Sequence, residues 1–422
     1  MNHSAPRRRT KFIAGASAAV ASLTTGLVFA SPAGAKPLGP APGPRTTTSF
    51  VNNQHVLTIV GDSGDNSISV GRDAAGVITI NGVDLVLNGV TVTVANVNKI
   101  VLEGGSGSDR LGIDDSNGPM PVASILGQSG DDELFSGSGN DTLVGGAGND
   151  QIFGEAGNDQ FIWNPGDGSD FDEGGDGTDA IIVNGGDGSE NFTATANGSR
   201  VQFDRLSPAP FSLDIGSAEQ LVLRAHGGND SFTASGDLAS LIALTVDGGS
   251  GNDRITGGNG NDTLIGGAGN DVIDGKQGDD KVFLGAGDDS FQWDPGDGSD
   301  TVEGRAGHDS LLFNGASGPE NIDLSTNGTR VRLVRDIGKV TMDLNGLEAL
   351  RVNALAGDDI VDAHALTSGL TSLTLDGGDG NDQLIGSAGN DVLLGGNGDD
   401  KLVGGPGQDV LDGGTGSNVL IQ

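Results

Sequence analysis

From Gly127 the chain repeats itself every nine residues: GQSGDDELF, SGSGNDTLV, GGAGNDQIF and GEAGNDQFI follow one another without a break. Each has Asp at the sixth place and an apolar residue at the eighth. Trp163-Asn164 is then inserted, and the register resumes as PGDGSDFDE and GGDGTDAII. A second array starts at Gly248 with seven units and a matching insertion, Trp293-Asp294, and a third runs from Gly377 to Ile421 with five. Gly at the first, second and fourth places admits turn conformations closed to residues with a Cβ, and the sixth-place carboxylate projects from that turn. Places seven to nine alternate as a very short strand with one face inward. One unit cannot bury its single apolar side chain, so the units must coil and stack, with Leu143, Ile152, Ile255, Leu264, Ile273, Leu384, Leu393, Leu402 and Leu411 as an inner ladder.

Composition narrows the chemistry. Gly (76) and Pro (14) together make up about a fifth of 422 residues, and there are only 16 aromatic residues, so neither a helical globule nor a large oily core is expected. The absence of Cys excludes disulfides and thiolate-held zinc or iron-sulfur. The formal charge, 22 − 58 = −36, repels nucleic-acid phosphates and anionic lipid and attracts cations, above all those that prefer oxygen. No segment after the N-terminal region is apolar enough to enter a membrane.

The pattern resembles the RTX, or haemolysin-type, calcium-binding repeat, with consensus G-G-x-G-x-D-x-U-x. The resemblance implies an all-β parallel β-roll, a calcium-stapled solenoid, in which two nonapeptides form one coil and several Ca²⁺ ions sit between turns 18 residues apart. Carried onto this chain it pairs Asp132 with Asp150, Asp141 with Asp159, Asp253 with Asp271, Asp262 with Asp280, Asp271 with Asp289, Asp382 with Asp400 and Asp391 with Asp409. The remaining sixth-place candidates are Asp170, Asp179, Asp300 and Asp309. Turn carbonyls would complete the shell, which suits Ca²⁺ better than the tighter, water-retaining Mg²⁺. The Trp inserts shift the register by two residues, so a pairing across them such as Asp159 with Asp170 falls outside the rule. Asp172 takes an apolar slot, Arg305 a glycine slot, and Asn418 weakens the last site.

A longer period lies over the short one. Degenerate turns ending at Asn66, Glu190 and Glu320 each open a β-rich spacer, which passes through a lone repeat-like turn (Asp109, Asp230, Asp359) into an array. This gives three modules: 51–182 with array 127–182, 183–312 with array 248–312, and 313–422 with array 377–421. Ahead of them Arg7, Arg8, Arg9 and Lys11 precede an apolar stretch and Ala33-Gly34-Ala35, the pattern of a secretory signal peptide over 1–35 cleaved near Ala35, followed by a Pro/Thr-rich linker over 36–50.

No catalytic constellation is visible: His3, His55, His226, His308 and His364 are scattered, and neither H-E-x-x-H nor G-x-S-x-G occurs. Acidic doublets such as Asp131-Asp132 read as a calcium ligand beside a solvent-facing neighbour. Trp163 and Trp293 read as plugs over a coil, with carbohydrate-stacking platforms as the other reading. The expectation is a secreted, calcium-binding, structural or adhesive repeat protein with a cell-surface or glycan ligand and no enzyme activity. The alternative is a secreted hydrolase with its site in the spacers.

Overall fold

The computed structural model describes residues 47–51 and 55–422, so the signal segment and most of the linker lie outside the described residues. The chain divides into two units at Asp179/Ala180. Both are all-β, and each is a solenoid whose coils place one strand on either of two facing sheets.

In the first unit one sheet runs Val56–Val60, Lys99–Ser106, Val122–Ser129, Thr142–Ala147 and Gln160–Trp163, every neighbour parallel. The other runs Ser67–Arg72, Arg110–Asp114, Glu133–Phe135, Gln151–Phe153 and Asp170–Glu173. Within the array the register advances by two nonapeptides per coil, as in Ser124↔Thr142 and Glu133↔Gln151. The insertion lengthens one coil to 20 residues, giving Gln151↔Phe171. The extra pair is absorbed in a turn at Asn164 to Asp167, where Asp167 Oδ2 accepts the Asn164 N–H at 2.7 Å.

The second unit repeats the plan. Ala180–Asn184, Gln220–Arg224, Ala243–Ser250, Thr263–Ala268, Lys281–Ala286, Thr301–Ala306 and Val340–Asn345 form one parallel series. Facing strands run from Asn191–Asn197 through Ser231–Ser235, Arg254–Thr256 and Val272–Asp274 onward. The spacers therefore continue the coils of the arrays they adjoin. Each spacer adds an antiparallel excursion where a nonapeptide would stand. Asn191–Asn197, Arg200–Ser207 and Phe211–Gly216 make one such meander, and Asn321–Asn327, Arg330–Arg335 and Val340–Asn345 another.

The inner ladder is as expected: eight of the nine named residues are at most 3% exposed. Leu411 is half-buried, because its strand Val410–Asp412 has a described neighbour on one side, Val392–Asn397. Trp163 and Trp293 are 3% and 0% exposed, and their indole N–H groups donate to Gly168 O and Gly298 O at 2.9 and 3.0 Å. Trp293 also stacks on Phe313 with ring centroids 4.2 Å apart. They are plugs, and neither offers a face for a sugar.

Candidate metal centre

The consensus glycines have separate tasks. A Cβ on Gly145, at the first place, would lie 2.2 Å from Asp150 Oδ2, so this glycine makes room for the carboxylate of its own turn. A Cβ on Gly146, at the second place with φ +94°, would lie 2.2 Å from Gln128 O in the preceding coil. Coils thus approach one another backbone to backbone. Gln128, Glu155, Lys276 and Arg305 take the second place and keep the left-handed conformation, Arg305 at φ +81° with its guanidinium 4.9 Å from the Phe283 ring centre, whereas Ser387 at the same place does not.

All seventeen sixth-place aspartates are inward-facing; Asp409 is half-buried and the others are buried. The seven pairs expected from the resemblance are each brought one coil apart, joined by the backbone N–H of the earlier aspartate donating to Oδ1 of the later one. The distances are 2.8 Å for Asp132 to Asp150 and for Asp141 to Asp159, and 2.8, 2.8 and 2.7 Å for the bonds to Asp271, Asp280 and Asp289. The last two, Asp382 to Asp400 and Asp391 to Asp409, measure 2.9 and 3.0 Å. Across the inserts the ladder holds with 20-residue steps: Asp150 to Asp170, Asp159 to Asp179, Asp280 to Asp300 and Asp289 to Asp309. Asp159 therefore pairs with Asp179, one coil on, and not with Asp170.

Oδ1 is satisfied; Oδ2 is not. Apart from Asp170, Asp179, Asp262 and Asp391, each of these aspartates has a buried Oδ2 without a hydrogen-bond partner, and Asp109, Asp230 and Asp359 share that condition. Asp262 Oδ2 accepts the Gly258 N–H, and Asp391 Oδ2 accepts both the N–H and the hydroxyl of Ser387. The orphaned oxygen faces another acceptor. At Gly127 the position of an added Cβ is 2.2 Å from Asp132 Oδ2 and 2.5 Å from the Gly145 carbonyl oxygen of the next coil. The same couple recurs at Gly248 with Asp253 Oδ2 and Gly266 O, and at Gly377 with Asp382 Oδ2 and Gly395 O. Two oxygens facing each other in a dry cradle, with no donor between them, call for a proton or a cation.

The carboxyl groups register that condition. Burial, foremost, pushes Asp132, Asp150, Asp159, Asp170, Asp230 and Asp300 up to about 7, and Asp280, beside Asp300 and Asp262, to about 9; the backbone donors at Oδ1 pull the other way. Among the described residues no three acidic or imidazole side chains converge. A cation held here would draw on carboxylate Oδ2 atoms and glycine carbonyls in alternation, an oxygen-only set that fits a large hard ion such as Ca²⁺.

Two features escaped the sequence reading. Asp109, Asp230 and Asp359, read as lone turns, are rungs of the ladder, each donating its N–H to the first aspartate of the array that follows at 2.7 to 2.9 Å. The fifth place also carries a ladder. Asn252 Oδ1 accepts the Asn270 N–H at 2.8 Å and Asn270 Oδ1 accepts the Asp288 N–H at 3.0 Å, and Asp131 Oδ1 does the same for Asn149. Asp131 is thus more than a solvent-facing neighbour of Asp132. The fifth-place ladder accepts from the later coil and the sixth-place ladder from the earlier one, so each turn is tied in both directions.

The family model for the RTX calcium-binding nonapeptide repeat (4 copies) matches residues 126–161, 245–273, 256–291, 295–314, 374–402 and 385–420. No curated protein matches the chain. With its coiled parallel strands, glycine-lined cradles and matched arrays, the chain is a calcium-binding repeat protein that carries RTX nonapeptide repeats.

Proposed function

We propose that the sixth-place aspartates, together with Asp109, Asp230 and Asp359, hold several Ca²⁺ ions with the facing glycine carbonyls, and that this binding drives the arrays to fold. The observation that carries the reading is the buried, unpartnered Oδ2 set against a carbonyl oxygen of the next coil. Without a cation the ladder stacks like charges in a dry setting, in a chain whose composition, 35% hydrophobic with net charge −36, favours disorder. When bound, calcium supplies the positive charge that turns this repulsion into coordination, and its binding free energy becomes folding free energy. Affinities on the order of 10⁻⁴ to 10⁻³ M, usual for extracellular modules, match a protein that folds after export.

The wider role follows from the same features. The basic-then-apolar N-terminal sequence supports export, and the repeats and spacers occupy nearly all that follows it. We read the protein as secreted, non-catalytic and structural or adhesive, a calcium-stiffened scaffold for a cell-surface or glycan ligand. Among the described residues no helix is long and apolar enough to cross a membrane.

The test is far-UV circular dichroism of the full chain after chelation, titrated with Ca²⁺ and separately with Mg²⁺. A cooperative gain of β-structure with Ca²⁺ at lower concentration than with Mg²⁺ is expected. Full β-structure in chelator at neutral pH, unchanged by Ca²⁺, would overturn the folding role. Adhesion is read by pull-down on cells and glycan arrays, where binding should vanish in chelator.

A further inference from the structure

Two turns of the second unit are laid out like the aspartate turns and closed in another way. At 185–190 and 315–320 the sixth place is Glu, not Asp. Each Glu keeps its rung: Asp230 Oδ1 accepts the Glu190 N–H at 2.7 Å, and Asp359 Oδ1 accepts the Glu320 N–H at 2.8 Å. One carboxylate oxygen of each stands in the familiar cradle. A Cβ on Gly185 would be 2.4 Å from Glu190 Oε2 and 2.8 Å from Ala225 O, and Gly315 repeats this with Glu320 Oε1 and Ala354 O. Here that oxygen is satisfied, by the Gly186 N–H at 2.7 Å and the Ala316 N–H at 2.6 Å.

The second oxygen meets an arginine delivered by the antiparallel excursion that the turn opens. Arg205 Nη1 is 2.7 Å from Glu190 Oε1, and Arg335 Nε donates to Glu320 Oε2. All four side chains are more than nine-tenths buried. Arg205 is fixed further by the Ala209 carbonyl and lies 4.9 Å from the Phe211 ring centre; Arg335 lies over the buried Trp293. Removal of either guanidinium would leave a carboxylate buried without its counter-charge. Neither Glu contributes an orphaned oxygen, in contrast to Asp230 and Asp359 one coil away.

We propose that Arg205 and Arg335 are tethered cations standing in for the metal at these two turns, so that the turns bind no calcium and the coils they open fold ahead of the arrays. Two other turns follow the same principle with a neutral donor. The Asn66 amide nitrogen donates to Asp109 Oδ1 at 3.0 Å and to Gly104 O at 3.3 Å, and the Asn418 amide nitrogen donates to Gly413 O at 2.6 Å. The inference takes from the proposed function only the contrast with metal-requiring turns.

Hydrogen exchange with mass spectrometry on the full chain, in chelator and in Ca²⁺, tests it. In chelator, amides of 191–216 and 321–345 should exchange at least tenfold more slowly than those of 257–285 and 377–403. Calcium should protect the arrays and change the excursions little. Arg335→Met should remove the protection of 321–345 in chelator and leave 191–216 protected; Arg205→Met should do the converse. In each variant the freed Glu should make that protection calcium-dependent and add one ion to the count in native mass spectrometry. Excursions that exchange as fast as the arrays in chelator, or an Arg335→Met chain that stays protected, would overturn the proposal. Should Arg335→Met fail to fold even in calcium, Glu320→Gln/Arg335→Met removes both buried charges. Protection of 321–345 in chelator should then return, and continued loss would overturn the assignment. Arrays of the wild-type chain that gain no protection from calcium would count against the folding role alone.

Discussion

At the scale of one residue, the aspartate ladder makes a metal-free fold depend on protons. An ordinary Asp titrates near 3.8, whereas burial holds Asp132, Asp150 and Asp159 near 7 in the folded state. Between about pH 4 and 7 the folded chain therefore binds more protons than the unfolded one, and the cost of folding without metal grows as pH rises through the folded-state values. In chelator, circular dichroism should show more β-structure at pH 5 than at pH 8, while Ca²⁺ should bind more weakly at pH 5, where protons compete for Oδ2. A chelated protein equally unfolded at both would contradict the burial of these groups. Asp271→Asn separates the two oxygens. Oδ1 would still accept the Asp253 N–H, and an amide nitrogen would replace the Oδ2 that faces the Leu284 carbonyl. The variant should bind fewer ions by native mass spectrometry and tolerate chelator better than the parent, as the amide-closed turn at Asn66 illustrates.

At the scale of the element, the turn-strand unit is held by more than its carboxylate. The fifth-place ladder crosses every coil boundary of an array at the rim of the turns. Asn270→Ala would delete the acceptor for the Asp288 N–H and should lower the stability of the calcium-loaded protein by about 1 kcal/mol in denaturant melts, whereas Asn270→Asp, which keeps the acceptor, should change it far less. This ladder was legible in principle. Within arrays the fifth place is Asn, Asp or Ser, side chains that can accept from the next coil, and Thr178, His308 and Gln408 stand at fifth places near array ends. It was missed because a polar residue in a turn already has a sufficient explanation in solvent. The nine-residue period made the parallel coils and the sixth-place pairs readable, since spacing alone sets which aspartates stack. The arginine closures were not readable. Arg205 and Arg335 lie 15 residues beyond their Glu partners, and only the register of an antiparallel excursion brings them back. Asp159 was hard to place for a related reason: whether an inserted pair shifts a strand or swells a turn is decided by packing of the Trp plug.

At the scale of the whole molecule, net charge and coordination make separable demands. Acidic side chains outside the cradles, such as Asp62, Asp65 and Asp131, are exposed, and 1 M KCl, with a Debye length of about 3 Å, screens them. Screening fills no cradle, because a monovalent ion at that strength does not replace ligand-by-ligand coordination of the buried Oδ2 atoms. In chelator with 1 M KCl the arrays should remain unfolded by circular dichroism, and millimolar Ca²⁺ added at low salt should fold them; folding by KCl alone would show that general repulsion, and not the cradles, is what the cation relieves. The 20-residue coils add one more consequence. Both side-chain ladders resume after Trp163-Asn164 and after Trp293-Asp294 with bond lengths like those elsewhere, so alignment is counted in coils and not in residues. Such a scaffold is indifferent to how much chain leaves and re-enters at a corner. The turns at Asn164 to Asp167 and Asp294 to Asp297 are accordingly places where foreign peptides could be displayed without disturbing the rungs on either side.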